Sequence, residues 1–150
     1  MANTQAIATS FKQEILNGIH ALGTTVARGG TTADSFKAAL YLATATIGAA
    51  TTAYSATGEV SGTNYTAGGA SFTWSAPATS GTTAYTTPSA TISWTNVTLA
   101  SSFDCVLLYN TTQSNRAVMA CTFTGQTVSA ATFSLTMPTN DASTGLLRIA

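Results

Sequence analysis

Few groups in this chain could do chemistry. There is one histidine, His20, and five carboxylates, Glu14, Asp34, Glu59, Asp104 and Asp141. A Ser-His-acid triad would have to use His20, which falls at the edge of an apolar helical face. No Gly-x-Ser-x-Gly turn is present to strain a serine into a nucleophile. His20 therefore reads as a packing or solvated residue. Glu59 and Asp104 are the pair that a sugar-cleaving enzyme would use. Such an enzyme needs an extended groove, for which 150 residues leave little material, so the two read as a turn carboxylate and a strand-edge carboxylate. Cys105 and Cys121 have no nearby Cys or His to complete a metal-binding set. The glycines of Gly58 to Gly69 fit neither the dinucleotide nor the phosphate-loop spacing. No catalytic, cofactor-binding or metal-ligating residue is assigned, and the expectation is a protein that is not an enzyme.

Aromatic side chains offer a second kind of site, because rings stack on the apolar faces of sugars. The candidates are Tyr54, Tyr65, Trp74, Tyr85 and Trp94. Trp74 and Trp94 each stand two positions from another apolar residue on the same strand face, which places them in a core. Tyr65 and Tyr85 lie in turn-like contexts and are the better contact residues. The sequons at Asn64, Asn96 and Asn110 are expected by chance in a chain so rich in Thr and Ser.

The composition narrows the class further. Apolar residues make up 45% of the chain and charged residues 7%, against about a quarter charged in an ordinary soluble domain. High hydrophobicity with low charge is the reverse of the balance that produces disorder. A hydroxyl-rich surface with zero net charge has little electrostatic repulsion to keep copies apart, so a homo-oligomer or a larger assembly is expected. Lys12, Arg28, Lys37, Arg116 and Arg148 are scattered, which leaves no basic cluster for nucleic acid. No secretory signal and no apolar run of membrane-spanning length stand in the sequence, so synthesis in a cytoplasm is expected, with no membrane partner.

The elements that must position these residues follow from periodicity. Phe11, Ile15, Leu16, Ile19 and Leu22 recur at helical spacing, with Ser10 and Gln13 placed as a capping box and Gly23 as a stop. The spacing predicts one amphipathic helix over about 11–22, then a loop from Gly23 to Asp34. Beyond it the period is two. Strands are expected at Phe36 to Leu42, Phe72 and Trp74, Ile92 and Trp94, Phe103 to Tyr109, Ala117 to Phe123, Phe133 to Met137, and Leu147 to Ile149. Ala43 to Ala56 reads as a loop leading into a strand around Ala53, and Gly58 to Gly69 as a long turn that a neighbouring subunit meets. Short strands at this spacing predict an antiparallel β-sandwich, immunoglobulin-like or jelly-roll-like, over about 35–150, within one domain spanning 1–150.

The polar segment Asn110 to Arg116 should close a hairpin. A loop symmetric about Gln113 sets Tyr109 opposite Ala117 and, four steps out, Cys105 opposite Cys121, within disulfide reach on one face. Two buried thiols are expected there, since assembly in a reducing cytoplasm disfavours the bond.

Several of these segments together resemble a family of small virion structural proteins encoded by tailed bacteriophages and prophages. They are Ser10-Phe11-Lys12-Gln13-Glu14-Ile15-Leu16, Phe36-Lys37-Ala38-Ala39-Leu40-Tyr41, Thr52-Ala53-Tyr54, the glycine-rich run Gly58 to Gly69, Leu108-Tyr109-Asn110, Ser114-Asn115-Arg116-Ala117-Val118, and Pro138-Thr139-Asn140-Asp141-Ala142. The likeness covers nearly the whole chain, with Gly58 to Gly69 its most specific part, and departs from the family's pattern between Leu22 and Phe36. It implies a virion location after synthesis in the host bacterial cytoplasm, and partners among other virion proteins. It implies no chemistry. Capsid decoration is the expected role, ahead of a tail or tail-fibre subunit and of a carbohydrate-binding module at the virion surface.

Overall fold

The computed structural model describes residues 2–23 and 32–150. Within them the chain is mainly β, antiparallel and sandwich-like, with one short N-terminal helix, as the periodicity predicts. The elements are β1 (Ala6–Ile7), α1 (Thr9–Leu16), β2 (Phe36–Leu42), β3 (Ala70–Phe72), β4 (Ala78–Ser80), β5 (Thr83–Thr86), β6 (Ile92–Asn110), β7 (Arg116–Leu135) and β8 (Leu147–Ile149). One sheet runs β1-β7-β6-β2-β3 and the other β4-β5-β8. Most of the loop expected between Gly23 and Asp34, with Arg28, lies outside the described residues.

β2 is an inner strand of the large sheet, between β6 and β3, and Ala38, Ala39, Leu40 and Tyr41 are all buried. A strand covered on both faces loses the in-out alternation that its sequence had predicted. The glycine-rich segment presses onto it. Gly69 has φ +75°, and a β-carbon there would lie 1.8 Å from the Ala38 carbonyl oxygen. Only a residue without a side chain brings the backbone that close. Phe36 and Phe72 each meet Trp74 edge-on and each other at a tilt, with ring centroids 5.5–6.1 Å apart. Trp74 is 1% exposed and Trp94 5%, so both tryptophans are core residues, as expected.

Three features differ from the sequence reading. The helix is shorter than 11–22 and is not capped by Ser10. It starts after Ala8 with no side-chain cap, and the Ser10 hydroxyl lies buried without a partner. It ends at Asn17-Gly18, where Gly18 turns left-handed. The Gly18 N–H then donates to the Ile15 carbonyl and the Ile19 N–H to the Glu14 carbonyl, a glycine-terminated helix end. Second, the strands expected at Ile92 and at Phe103 are one strand, and so are those at Ala117 and Phe133. Bulges join them, with Asn96 at φ +50° and Ala130 at φ +46°. Each bulge breaks the period of two and hides the continuity. Third, Cys105 does not face Cys121. Tyr109 pairs with Ala117 as expected, but Leu108 pairs with Met119, so Val118 is an extra residue. The slip sets Cys105 opposite Thr122 and Cys121 opposite Val106. Opposed residues share a face and successive ones alternate, so the thiols point to opposite sides of the sheet. Both cysteines are free.

Candidate functional site

Glu14, His20, Asp34 and Arg116 sit in one internal network and Glu59 in a second. In the first, α1 is fastened to the β6–β7 turn. Glu14 Oε1 accepts from Arg116 Nη1 at 2.5 Å, and Oε2 accepts from His20 Nε2 at 2.6 Å. Asn110 Nδ2 donates to His20 Nδ1 at 3.0 Å and to Asp34 Oδ2 at 2.7 Å. Because an amide donor faces Nδ1, the proton of the neutral ring belongs on Nε2. Burial works to raise the Glu14 pKa, but the hydrogen bonds from His20 and Arg116 and the Arg116 charge outweigh it and hold the carboxyl below its ordinary value. A general base needs a free nitrogen within reach of a nucleophile. His20 has none: both nitrogens are engaged and its side chain is fully buried.

The second network surrounds Glu59, which sequence reasoning had left as a turn carboxylate. Tyr54 and Tyr65 donate their hydroxyls to its two oxygens at 2.6 and 2.8 Å, and the Gly68 N–H adds a third bond at 2.8 Å. Tyr65 also accepts from the Leu40 N–H, so it is turned inward and is not the free contact residue expected. Tyr109 stacks on Tyr54 with centroids 4.8 Å apart and donates to the Gly68 carbonyl. Burial, reinforced by the Glu59 charge, pushes Tyr54 and Tyr109 up to about 12. These phenols remain donors at neutral pH. Asp104 takes a hydrogen bond from Asn3 at 2.6 Å and shares none of the Glu59 partners, so the two carboxylates act in separate places. The glycine-rich segment is thus folded around a carboxylate. The flanking Tyr54 and Tyr65, five and six positions away, were the readable signal.

Burial pushes the thiols of Cys105 and Cys121 up to about 12 and 11, which removes nucleophilic thiolate at neutral pH. Among the described residues no cluster of three His, Cys, Asp or Glu could hold a metal. No helix there is long and apolar enough to cross a membrane.

Two surfaces remain. The first is the outer part of the β6–β7 ribbon. The edge of β7 is closed near the turn, where Ala53 bridges Arg116 and β1 pairs with Met119 and Ala120. From Thr122 to Leu135 no backbone hydrogen bond reaches that edge from another element of the described chain. Thr124 to Thr127 are all exposed, and successive residues alternate faces, so neither side of the ribbon is covered there. No charged side chain lies between Glu59 and Asp104 or between Arg116 and Asp141. The second surface is an apolar groove of about 670 Å³ between α1 and the small sheet. Phe11, Ile15, Leu22, Pro77 and Leu147 line it. Leu16, 87% exposed, and Ile149, 61% exposed, stand at it as well. Tyr85, expected as a contact residue, also lines this groove. Comparisons of the chain with protein-family models, curated proteins and solved structures each return no match.

Proposed function

We propose that this chain is a non-enzymatic structural protein of a tailed-bacteriophage virion, a capsid-decoration subunit that assembles with capsid proteins and with copies of itself. The observation that carries this reading is the outer part of the β6–β7 ribbon, which carries no charged side chain. Exposed strand edges are ordinarily protected by charge or proline, and β7 carries neither beyond Arg116. An edge left so in a chain of zero net charge suits a surface that is covered when the protein works. The ionisable groups support the same reading, since the two networks hold Glu14, His20, Asp34 and Glu59 as internal fasteners. The buried tryptophans remove the main support for a sugar-binding module. The resemblance in the sequence supplies the virion.

An averaged density map of the intact particle tests the placement. Density for this fold on the outer face of the capsid is expected. Density on the tail would overturn the decoration role, and absence from the particle would overturn the whole reading. In the same preparation the purified chain should leave host polysaccharide uncleaved. Turnover that Glu59→Gln or Asp104→Asn abolishes would make it an enzyme.

A further inference from the structure

We propose that the free edge of β7, from Thr122 to Ser134, pairs with the same edge of a second copy of this chain across a twofold axis at Val128. The proposal rests on the ribbon as an assembly surface and names its partner; the virion placement is not needed for it. Three observations converge on a second copy. The first is the shape of the edge. Phe123 and Phe133 are ten positions apart, which a straight strand would stretch over about 33 Å. Their rings lie 5.4 Å apart, and both meet Phe103. β7 therefore doubles back between them, with Val128 midway and the phenylalanines on the inside. Register shifts along the β6–β7 pairing and the left-handed Ala130 supply the bend. Thr124 to Thr127 and Ser129 to Thr132 are exposed on it. A bent edge given a half-turn about the radius through its middle follows the same curve, so two such edges fit side by side.

The second observation is the sequence of the edge, and it decides between occupants. Counted outward from Val128, Thr127 answers Ser129, Gly125 answers Ala131 and Thr124 answers Thr132. Phe123 then answers Phe133, and Thr122 answers Ser134; only Gln126 and Ala130 differ. In a twofold antiparallel pair each residue meets the one equally far beyond the axis. The copy thus sets hydroxyl on hydroxyl, Phe beside Phe and Val128 against its own mate, pairings that stabilise adjacent strands. With no ionised group from Ala117 to Asn140, the copies meet without like charges. An edge fitted to a different protein has no reason to read alike in both directions.

The third observation is the length of the other edges. β1, β3, β4 and β8, the remaining edge strands, have two or three residues each. None is long enough to receive this edge head to tail, so the contact closes as a dimer and does not propagate as a filament.

Sedimentation equilibrium of the purified full chain provides the test. One strand per copy makes a modest contact, and a dimer with a Kd on the order of 10 μM is expected. Thr124→Glu with Thr132→Glu sets glutamate on glutamate at two places and should weaken the dimer by roughly tenfold or more. Thr124→Lys with Thr132→Glu sets lysine on glutamate instead and should restore the native affinity to within about threefold. Cysteine cross-linking reads the same register without charge. A mixture of Thr124→Cys and Thr132→Cys chains should give a covalent dimer under mild oxidation, whereas neither chain should do so alone. A monomer at millimolar concentration would overturn the proposal, as would a dimer that the two glutamates leave intact. Failure of the lysine–glutamate variant to recover, or cross-linking by either cysteine chain alone, would overturn the register. A monomer that still decorates the capsid would sink the dimer alone, and a dimer absent from the particle would sink the virion reading alone.

Discussion

At the scale of single residues, the polar side chains of this protein hold the fold together across long sequence separations. Glu14 and Arg116 are 102 positions apart, and His20 and Asn110 are 90. No spacing rule joins residues so distant, which is why Glu14 and His20 were legible as types while their partners Arg116 and Asn110 were not. The cysteines fail for the opposite reason. Their register was counted from a good hairpin, and one extra residue, Val118, moved every pair beyond it. Glu14 leads to a test. Replacing it by Gln keeps the shape but removes the charge from two charge-assisted bonds, at a cost of about 1–3 kcal/mol at neutral pH. A carboxyl held below its ordinary value of 4.5 contributes stability that is complete above about pH 4.5. That stability is lost as the pH falls through the lower folded value. Urea unfolding of the native protein and Glu14→Gln should therefore diverge at pH 7 and converge toward pH 3. A constant gap across that range would show that the charge contributes nothing.

At the scale of elements, apolar alternation marked where strands run, while continuity and ends were set by backbone conformation. The first part of β6 and its last part both read as strands because Ile92, Trp94, Phe103 and Leu107 are buried. Their union was not legible, because Asn96 and Ala130 take left-handed conformations inside the strands, which asparagine tolerates but which are costly for alanine. The end of α1 was readable after all, in the Asn17-Gly18 pair, but the apolar residues Ile19 and Leu22 beyond it extended the apparent helix. Glycine content told of a turn without telling which glycine is essential. The structure separates them. At Gly69 a β-carbon collides with the backbone of β2, whereas at Gly81, with φ +57°, it meets nothing within 4 Å. Gly69→Ala should destabilise by on the order of 4 kcal/mol, combining strain with overpacking. Gly81→Ala should cost about 1 kcal/mol from its dihedral alone. Thermal unfolding of the two variants measures this, and equal losses would mean that the glycine-rich segment does not press on β2 as described.

At the scale of the whole molecule, the sandwich-like class and the poverty of charge were both open to reading from composition and period. Which edges of the sheet would be closed was not, since that depends on β1 and Ala53 returning from distant parts of the chain to cover only the near half of β7. The uncovered half carries hydroxyls, a glycine, Gln126 and apolar side chains that include Phe123 and Phe133, with no ionised group from Ala117 to Asn140. If the protein assembles through this ribbon, the attraction comes from main-chain pairing and apolar contact, not from ion pairs. Coulombic interactions between exposed charges are screened over about 10 Å at 0.1 M salt and over about 3 Å at 1 M, so an interface built on them weakens steeply as salt is raised. An uncharged one does not. Sedimentation across a concentration series should therefore show self-association or capsid binding whose constant changes less than about twofold between roughly 0.1 and 1 M sodium chloride. Thr127→Glu with Thr132→Glu should abolish it, because like charges would then face each other on paired edges. Two results would locate assembly elsewhere on the molecule. One is association that falls tenfold or more with salt, and the other is association that the two glutamates leave intact.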